Sequence, residues 1–461
     1  MECRYRLPAL KIMHLATPTA PNYGRTFPLY VPPIDWFFLI DDSPRYTMSF
    51  FLDLDFSGQL DRSIFEAAVE EALQRHPLLL CRVAPEKNDR LCWVLAPEDI
   101  AAVDWADASE PIEMGDGYLD LRKTTGLRIW VRQSSHKATV TMQFHHAACD
   151  GTGAYRFVGD LLGCYMRRLE SCAGEVDLSN FDVASLKVRR SKMRSIMMHD
   201  SALKKFRQAA AQAYDHIGTR VAPLKPPANP PKSFVLPAME KQTFTAGDLA
   251  NLRKAATSQG GTLNDLFLSK MFVAAHRWNG SFGGSRKIRI LVPADMRDGD
   301  DFEIPACNMT ACTFISRSPS EIDDEKQLMD LVVRDTLALK SGQLQKDFVN
   351  SITTAMEGNL LPWILWASRC LATGVFSNAG DPSRRFTGKL PKKRGKVSCD
   401  EFTLEAITGV PPLRHNTRST LSSSIYGRQL TFSLRCDPYL FGSEDTKQLL
   451  ELFCDQLRPL C

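Results

Sequence analysis

The most regular stretch of the chain is MSFFLDLDF, Met48 to Phe56, where apolar and polar positions alternate with the two-residue period of a strand. Ser63 to His76 changes to a spacing of three and four, which predicts a helix capped by Ser63 with Glu66 three residues on. Leu78 to Val83 reads as a short strand. GLRIWVRQSS and ATVTMQFHH read as a hairpin turning at His136 and Lys137, and Gly151 to Leu169 as a helix opening directly after it.

Val221 to Met239 (VAPLKPPANPPKSFVLPAM) contains six prolines. Proline fixes φ and lacks a backbone donor, so this stretch is expected to be an extended connector. Beyond it the grammar repeats. A strand near Lys241 to Phe244 precedes helices from Ala246 and over Thr262 to Trp278. IRILVPADM and ACTFISR read as strands, Lys326 to Leu339 as a helix, then EFTLEAITGVPP, STLSSSIYG and QLTFSLRCD as strands before a helix over Glu444 to Leu457. The expected organisation is two α/β lobes, residues 1–220 and 241–461, joined by a linker at 221–240. No short-period repeat is present.

Composition narrows the class. The chain has 461 residues, 44% apolar and 24% charged, which excludes disordered, collagen-like and disulfide-scaffold proteins. A net charge of +4 is too dilute a field for a duplex binder, so no nucleic-acid partner is expected. The 13 cysteines are scattered without a C-x-x-C pair, the usage of reduced thiols in a cytoplasmic protein without a structural metal. The N-terminal MECRYRLPALKIM has no sustained apolar core and is not read as a signal peptide. Leu360 to Phe376 is interrupted by Pro362 and Arg369 and falls short of the ~20 residues of a membrane span.

The segment that carries chemistry is QFHHAACDG, Gln143 to Gly151. His145 and His146 end a strand, and Asp150-Gly151 stand at the turn into a helix. Such a position holds a side chain rigidly at the edge of a cleft, as a general base requires. An imidazole with pKa near ~6.5 can take a proton from a hydroxyl, amine or thiol at neutral pH. Asp150 would shape the loop, and Gly151 would allow a tight turn where a Cβ would clash.

HHAACDG resembles the HHxxxDG signature of the chloramphenicol-acetyltransferase-like superfamily, which includes nonribosomal-peptide condensation domains, alcohol O-acyltransferases (alcohol acetyltransferases among them) and wax-ester-synthase-type enzymes. Arg75 to Val83, Thr262 to Trp278, ILVPADMR, Asn308 and Val375 to Gly380 are similar to further segments of that superfamily, so the resemblance spans nearly the whole chain. It implies an α/β fold (an α+β two-layer sandwich) of two lobes with the active site in a tunnel between them. It implies that His146 is the base, that His145 positions it, and that Asp150 is structural and salt-bridged to an arginine. Arg297 is the first candidate for that arginine and Arg75 the second. Asn378 and Cys149 are candidates to line the tunnel.

The implied reaction moves an acyl group from acyl-CoA or an acyl carrier protein to a small-molecule hydroxyl or amine acceptor. It needs no tightly bound cofactor and no metal. The D-F-G-W-G motif of plant acyltransferases is missing, and no carrier or adenylation segment adjoins, which points to a free-standing enzyme expected to be monomeric. The alternatives are condensation-type amide synthesis on carrier-bound substrates, a non-catalytic binding module, and a Cys149 nucleophile, against which a packing role for Cys149 is preferred. Three further features have bland readings. SRRFTGKLPKKRGK (Ser383 to Lys396), with seven basic residues, is read as a solvated mobile loop, although it could meet phosphates, an acidic carrier protein or an anionic membrane surface. ADMRDGDDFE (Ala294 to Glu303) is read as a solvated turn and not a calcium loop. LPWILWASRCLA, with Trp363 and Trp366, is read as core.

Overall fold

The computed structural model describes residues 23, 26–86, 90–115, 117–189, 221–231, 233–234, 236–281, 286–340, 342–367 and 370–461. The N-terminal leader reading and the side chain of Trp366 lie outside them.

In chain order the first half contains α1 (Pro33–Asp41), β1 (Ser49–Gly58), α2 (Arg62–Arg75), β2 (Cys81–Glu86), β3 (Arg90–Leu95), β4 (Asp104–Asp107), β5 (Leu127–Gln133), β6 (Lys137–His145) and α3 (Gly151–Met166). The second half contains β7 (Met239–Phe244), α4 (Ala246–Ser258), α5 (Leu263–Gly280), β8 (Ile288–Asp295), β9 (Thr310–Arg317), α6 (Glu325–Lys340), α7 (Gln343–Glu357), α8 (Leu361–Ala367), β10 (Gly374–Gly380), β11 (Phe402–Val410), β12 (Ser419–Tyr426), β13 (Gln429–Cys436) and α9 (Ser443–Cys454).

Two large sheets organise the molecule. The first runs β11-β1-β6-β5-β4 and the second β9-β8-β10-β12-β13-β7. The alternation in β1 explains the first sheet. Phe50, Leu52, Leu54 and Phe56 enter one core with Phe65, Leu73, Phe144, Phe157 and Leu161, whereas Phe51 packs with Trp130 and Val410. On the face of Phe51, Asp53 accepts from Thr141 Oγ1 (2.8 Å) and from Lys241 Nζ (2.8 Å), which ties β1 to the second sheet. A second core lies beneath α4, α5, α6 and α9, centred on Phe267, Phe272, Phe432 and Phe453.

The strand Phe402–Val410 departs from the expected organisation. Read with the second half, it pairs antiparallel with β1 over Gly58 to Phe51 and completes the first sheet. Its apolar residues Leu404 and Ile407 are buried in the first core, so an exposed edge of β1 is covered. The described residues of the proline-rich stretch are non-helical but packed: Trp278 Nε1 donates to the Lys225 carbonyl (2.8 Å) and Leu224 is buried.

Local expectations are corrected in four places. Asp61, not Ser63, caps α2 by accepting from Ile64 N (2.9 Å), and Ser63 Oγ bonds that same carboxylate. Pro77–Leu80 forms a 3-10 turn, delaying the strand to Cys81, because Pro77 starts a helical turn. The basic run is not a free loop. It carries most of a two-strand ladder, Lys392–Lys393 with Lys396–Val397, and buries Phe386 and Leu390, with Val397 buried just beyond it. Trp363 is 58% exposed and does not belong to the core. Among the described residues no helix is long and apolar enough to cross a membrane, and no His, Cys, Asp and Glu group is placed to hold a metal.

The crossover strand leaves no room at Gly409, where a Cβ would lie 2.4 Å from the Phe51 carbonyl oxygen and 2.5 Å from Leu52. Gly409→Ala is expected to lower stability by about 1–3 kcal/mol, the range for overpacking, read as an earlier urea midpoint in near-UV circular dichroism. An unchanged midpoint would mean that β11 gives way locally.

Candidate active site

His145 and His146 are set by backbone pairing. His145 N donates to the Gly126 carbonyl (2.9 Å), and His146 N to the Met48 carbonyl (2.7 Å), so the end of β6 is held on both sides. Their side chains then part. His145 is fully buried. Its Nδ1 accepts from Ala147 N (3.1 Å) and its Nε2 lies 3.4 Å from Asp42 Oδ2. His146 stacks on Phe38 of α1 (centroids 4.1 Å apart, planes 10° apart) and meets the Phe50 ring edge-on at 5.3 Å.

His146 stands on the wall of a cavity of about 260 Å³ between the two sheets. Its Nδ1 is buried, so Nε2 is the nitrogen that an incoming group can reach. Loss of hydration brings the imidazole down to about 4, with the neighbouring His145 acting in the same direction and Asp150 against it. His146 is therefore neutral at pH 7. The cavity walls are mainly apolar, from Phe37, Phe38, Phe51, Leu291, Pro293, Val375, Val410 and Pro411. Its charged side chains gather in two places: Asp295, bonded by Thr152 (Oγ1 to Oδ2, 2.8 Å), with Arg385, and the ion pair of Asp41 with Arg414 (2.7 Å).

Asp150 is 1% exposed and does not line the cavity. Its Oδ1 caps α3 by accepting from Gly153 N (2.8 Å). Its Oδ2 accepts from Arg297 Nη1 (2.8 Å), Met309 N (2.7 Å) and Thr310 Oγ1 (3.2 Å). Burial raises this carboxyl, but the charge and hydrogen bonds of Arg297 outweigh it and hold it below the usual carboxylate range. Arg297 also donates to Asp295 Oδ1 (3.0 Å) and to the Cys307 carbonyl (2.7 Å). Arg297 sits in the acidic turn, where Gly299–Asp301 form a 3-10 turn capped by Asp298.

Arg75, the second candidate, is corrected. It pairs with Asp160 (2.5 Å), beside buried His76, whose Nδ1 accepts from Ala306 N (2.9 Å). Cys149 is also displaced from the tunnel. It is fully buried away from the cavity, with Sγ 3.2 Å from the Asp150 carbonyl, and burial pushes its thiol far above the range of a nucleophile. Asn378 lines the cavity while spending its polar atoms locally: Oδ1 accepts from Gly380 N (2.9 Å) and Ser423 Oγ (3.1 Å), and Nδ2 donates to Asn264 (3.2 Å).

The glycine argument moves by two residues. A Cβ on Gly151 meets nothing closer than 4.0 Å, and its backbone is not left-handed. What Gly151 does is line the cavity beside His146. At Gly153 a Cβ would lie 2.8 Å from Cys149 Sγ and 2.9 Å from the Cys307 backbone. That glycine allows α3 to meet the second lobe. Sequence reasoning missed Gly153, Asp42, Phe38 and Thr152. Only Phe38 had a signal, the proline-opened apolar run PIDWFFLID of α1.

No family model and no curated protein sequence matches the chain. Solved structures do resemble it. The trichothecene 15-O-acetyltransferase of Fusarium sporotrichioides superposes with a TM-score of 0.69 at 11% identity, over 93% of this chain and 94% of that one. A starter condensation domain of rhizomide synthetase in complex with C8-CoA and Leu-SNAC gives 0.63 at 12%, over 95% and 96%. The EpoB cyclization-docking bidomain of Sorangium cellulosum gives 0.64 at 13%, over 95% of this chain and 85% of that one. The chain therefore has the mixed α/β, two-lobed fold of these condensation-type domains and of this O-acetyltransferase.

Proposed function

We propose that this protein is an acyltransferase that moves an acyl group from a thioester, on coenzyme A or an acyl carrier protein, to a hydroxyl or amine acceptor, with His146 as general base. The observation that carries this reading is a neutral imidazole whose only reachable nitrogen faces an apolar interlobe cavity. The neighbours add support: one is an O-acetyltransferase and another holds an acyl-CoA together with an aminoacyl thioester analogue.

In this reading the acceptor places its O–H or N–H on His146 Nε2. As its oxygen or nitrogen attacks the thioester carbonyl carbon, the proton passes to Nε2 and the carbonyl π pair moves to oxygen. Collapse of the tetrahedral adduct reforms the carbonyl and breaks the C–S bond. The imidazolium returns its proton to the departing sulfur, which leaves free thiol, the ester or amide, and neutral His146. A depressed pKa keeps His146 unprotonated before attack and makes it a ready acid afterwards. The Phe38 and Phe50 rings restrict its rotation. The step consumes no redox cofactor, since the thioester is already activated.

Asp150 has a structural role in this scheme. Its carboxylate is taken up by backbone N–H groups, Arg297 and Thr310, and Asp150 itself does not line the cavity, although Thr310 does.

Incubation with a panel of acyl-CoAs and pooled alcohols and amines, following thiol release, is expected to show acceptor-dependent turnover. His146→Ala should reduce it by more than ~100-fold, since a positioned base supplies roughly 10²–10⁴. Equal turnover in the two proteins would remove His146 from the chemistry. Because only neutral His146 accepts a proton, kcat/KM should stay level as pH falls below 6.5 and drop through an inflection near pH 4. A drop centred near ~6.5 would indicate a hydrated histidine. Asp150→Asn leaves buried Arg297 short of its countercharge and should lower stability by roughly 3–5 kcal/mol. A urea midpoint matching that of wild type would contradict the structural role.

A further inference from the structure

Phe51 lines the cavity, and its ring also carries Arg435 of β13, whose guanidinium carbon lies 5.2 Å from the ring centroid. Arg435 is only 6% exposed. Its Nε is buried without a partner, and among the described residues no side chain or carbonyl accepts from its guanidinium. A buried donor group of this kind is costly to leave unmatched.

The guanidinium borders a separate recess of about 20 Å³, which Arg45, Tyr46, Tyr439, Phe234 and Asp437 also line. Arg45 lies over the Tyr439 ring at 4.7 Å and the Tyr46 ring at 5.7 Å, and Phe234 meets Tyr439 edge-on at 4.7 Å. Asp437 is already engaged: its Oδ2 accepts from the Tyr46 hydroxyl (3.1 Å) and its Oδ1 from Tyr439 N (3.1 Å). Two arginines and one aspartate line the recess, so its lining carries one positive charge in excess. Burial brings Arg435 down to about 10 although Asp437 and Tyr439 act in the opposite direction.

We propose that this recess is a carboxylate-binding site. The space admits a head group only. A planar guanidinium with free N–H groups matches the two oxygens of a carboxylate, and one excess positive charge matches one carboxylate. The aromatic rim of Tyr439 and Phe234 gives the ligand's apolar body a surface outside the recess. None of these residues takes part in the acyl-transfer scheme, so the site can be tested independently of it.

The test titrates the full chain with benzoate, and with benzamide as its neutral counterpart, at constant ionic strength while the melting temperature is followed. Benzoate should raise the melting temperature by roughly 2 °C at tenfold its dissociation constant and continue upward with the logarithm of concentration, with no rise for benzamide. Arg435→Gln should abolish the response. Arg45→Gln, at an exposed position, should weaken affinity by about threefold or more, in line with loss of one rim charge. Equal responses to benzoate and benzamide, an undiminished response in Arg435→Gln, or no response in wild type would overturn the proposal. A rise with inorganic phosphate at constant ionic strength and none with benzoate would overturn the carboxylate assignment. Should Arg435→Gln fail to fold, unchanged benzoate affinity in Arg45→Gln would overturn the proposal.

Discussion

A carboxylate sealed from water must find all its partners inside the protein, and Asp150 finds them in both halves of the chain. One oxygen is committed to the first turn of α3 and the other to Arg297, Met309 and Thr310. Such a charge tolerates little displacement, because each lost donor leaves part of it unscreened in a medium of low polarity. The distance between the start of α3 and the β8–β9 region is thereby fixed. His146, four residues before Asp150, inherits that precision, and so does the cavity whose walls come from both sheets. Close approach at Gly153 is the steric counterpart of the same constraint.

The fold, and the strand end that carries His146, were legible in the sequence because their signals are local. Two-residue alternation marked β1 and β6, and HHAACDG marked a strand end followed by a helix start. The residues that complete the site come from far away in the chain. Phe38 reaches His146 from α1, and Asp42 reaches His145 from just beyond it. No periodicity reports such meetings. The two arginines illustrate this limit: the resemblance ranks Arg297 ahead of Arg75 without excluding either, and only folding sends one to Asp150 and the other to Asp160. Gly151 misled for a different reason. Its place in the motif invited a backbone explanation, but the crowded glycine is Gly153. The placement of β11 was hidden because an alternating strand shows that it has two faces, not which sheet it will join.

Two buried histidines show how environment assigns different roles to one side chain. His76 is enclosed, with Nδ1 taking Ala306 N and Nε2 3.3 Å from Asp160. It serves the packing between the halves. His146 loses hydration as well, but among the described residues no hydrogen bond or ion pair ties its ring to a carboxylate, and it stands on the cavity wall. Burial lowers the proton affinity of both. Only the second lines the cavity.

The route of β11 has a consequence for how the molecule is made. The first sheet has its central strands by residue 145, yet the edge of β1 waits for residues 402 to 410 of a 461-residue chain. During synthesis the second half must emerge and largely assemble before that edge is covered. For most of translation the N-terminal half therefore presents an unpaired hydrophobic strand border, a surface that chaperones recognise and that neighbouring nascent chains could pair with. Cutting the chain at its proline-rich middle would make that transient exposure permanent.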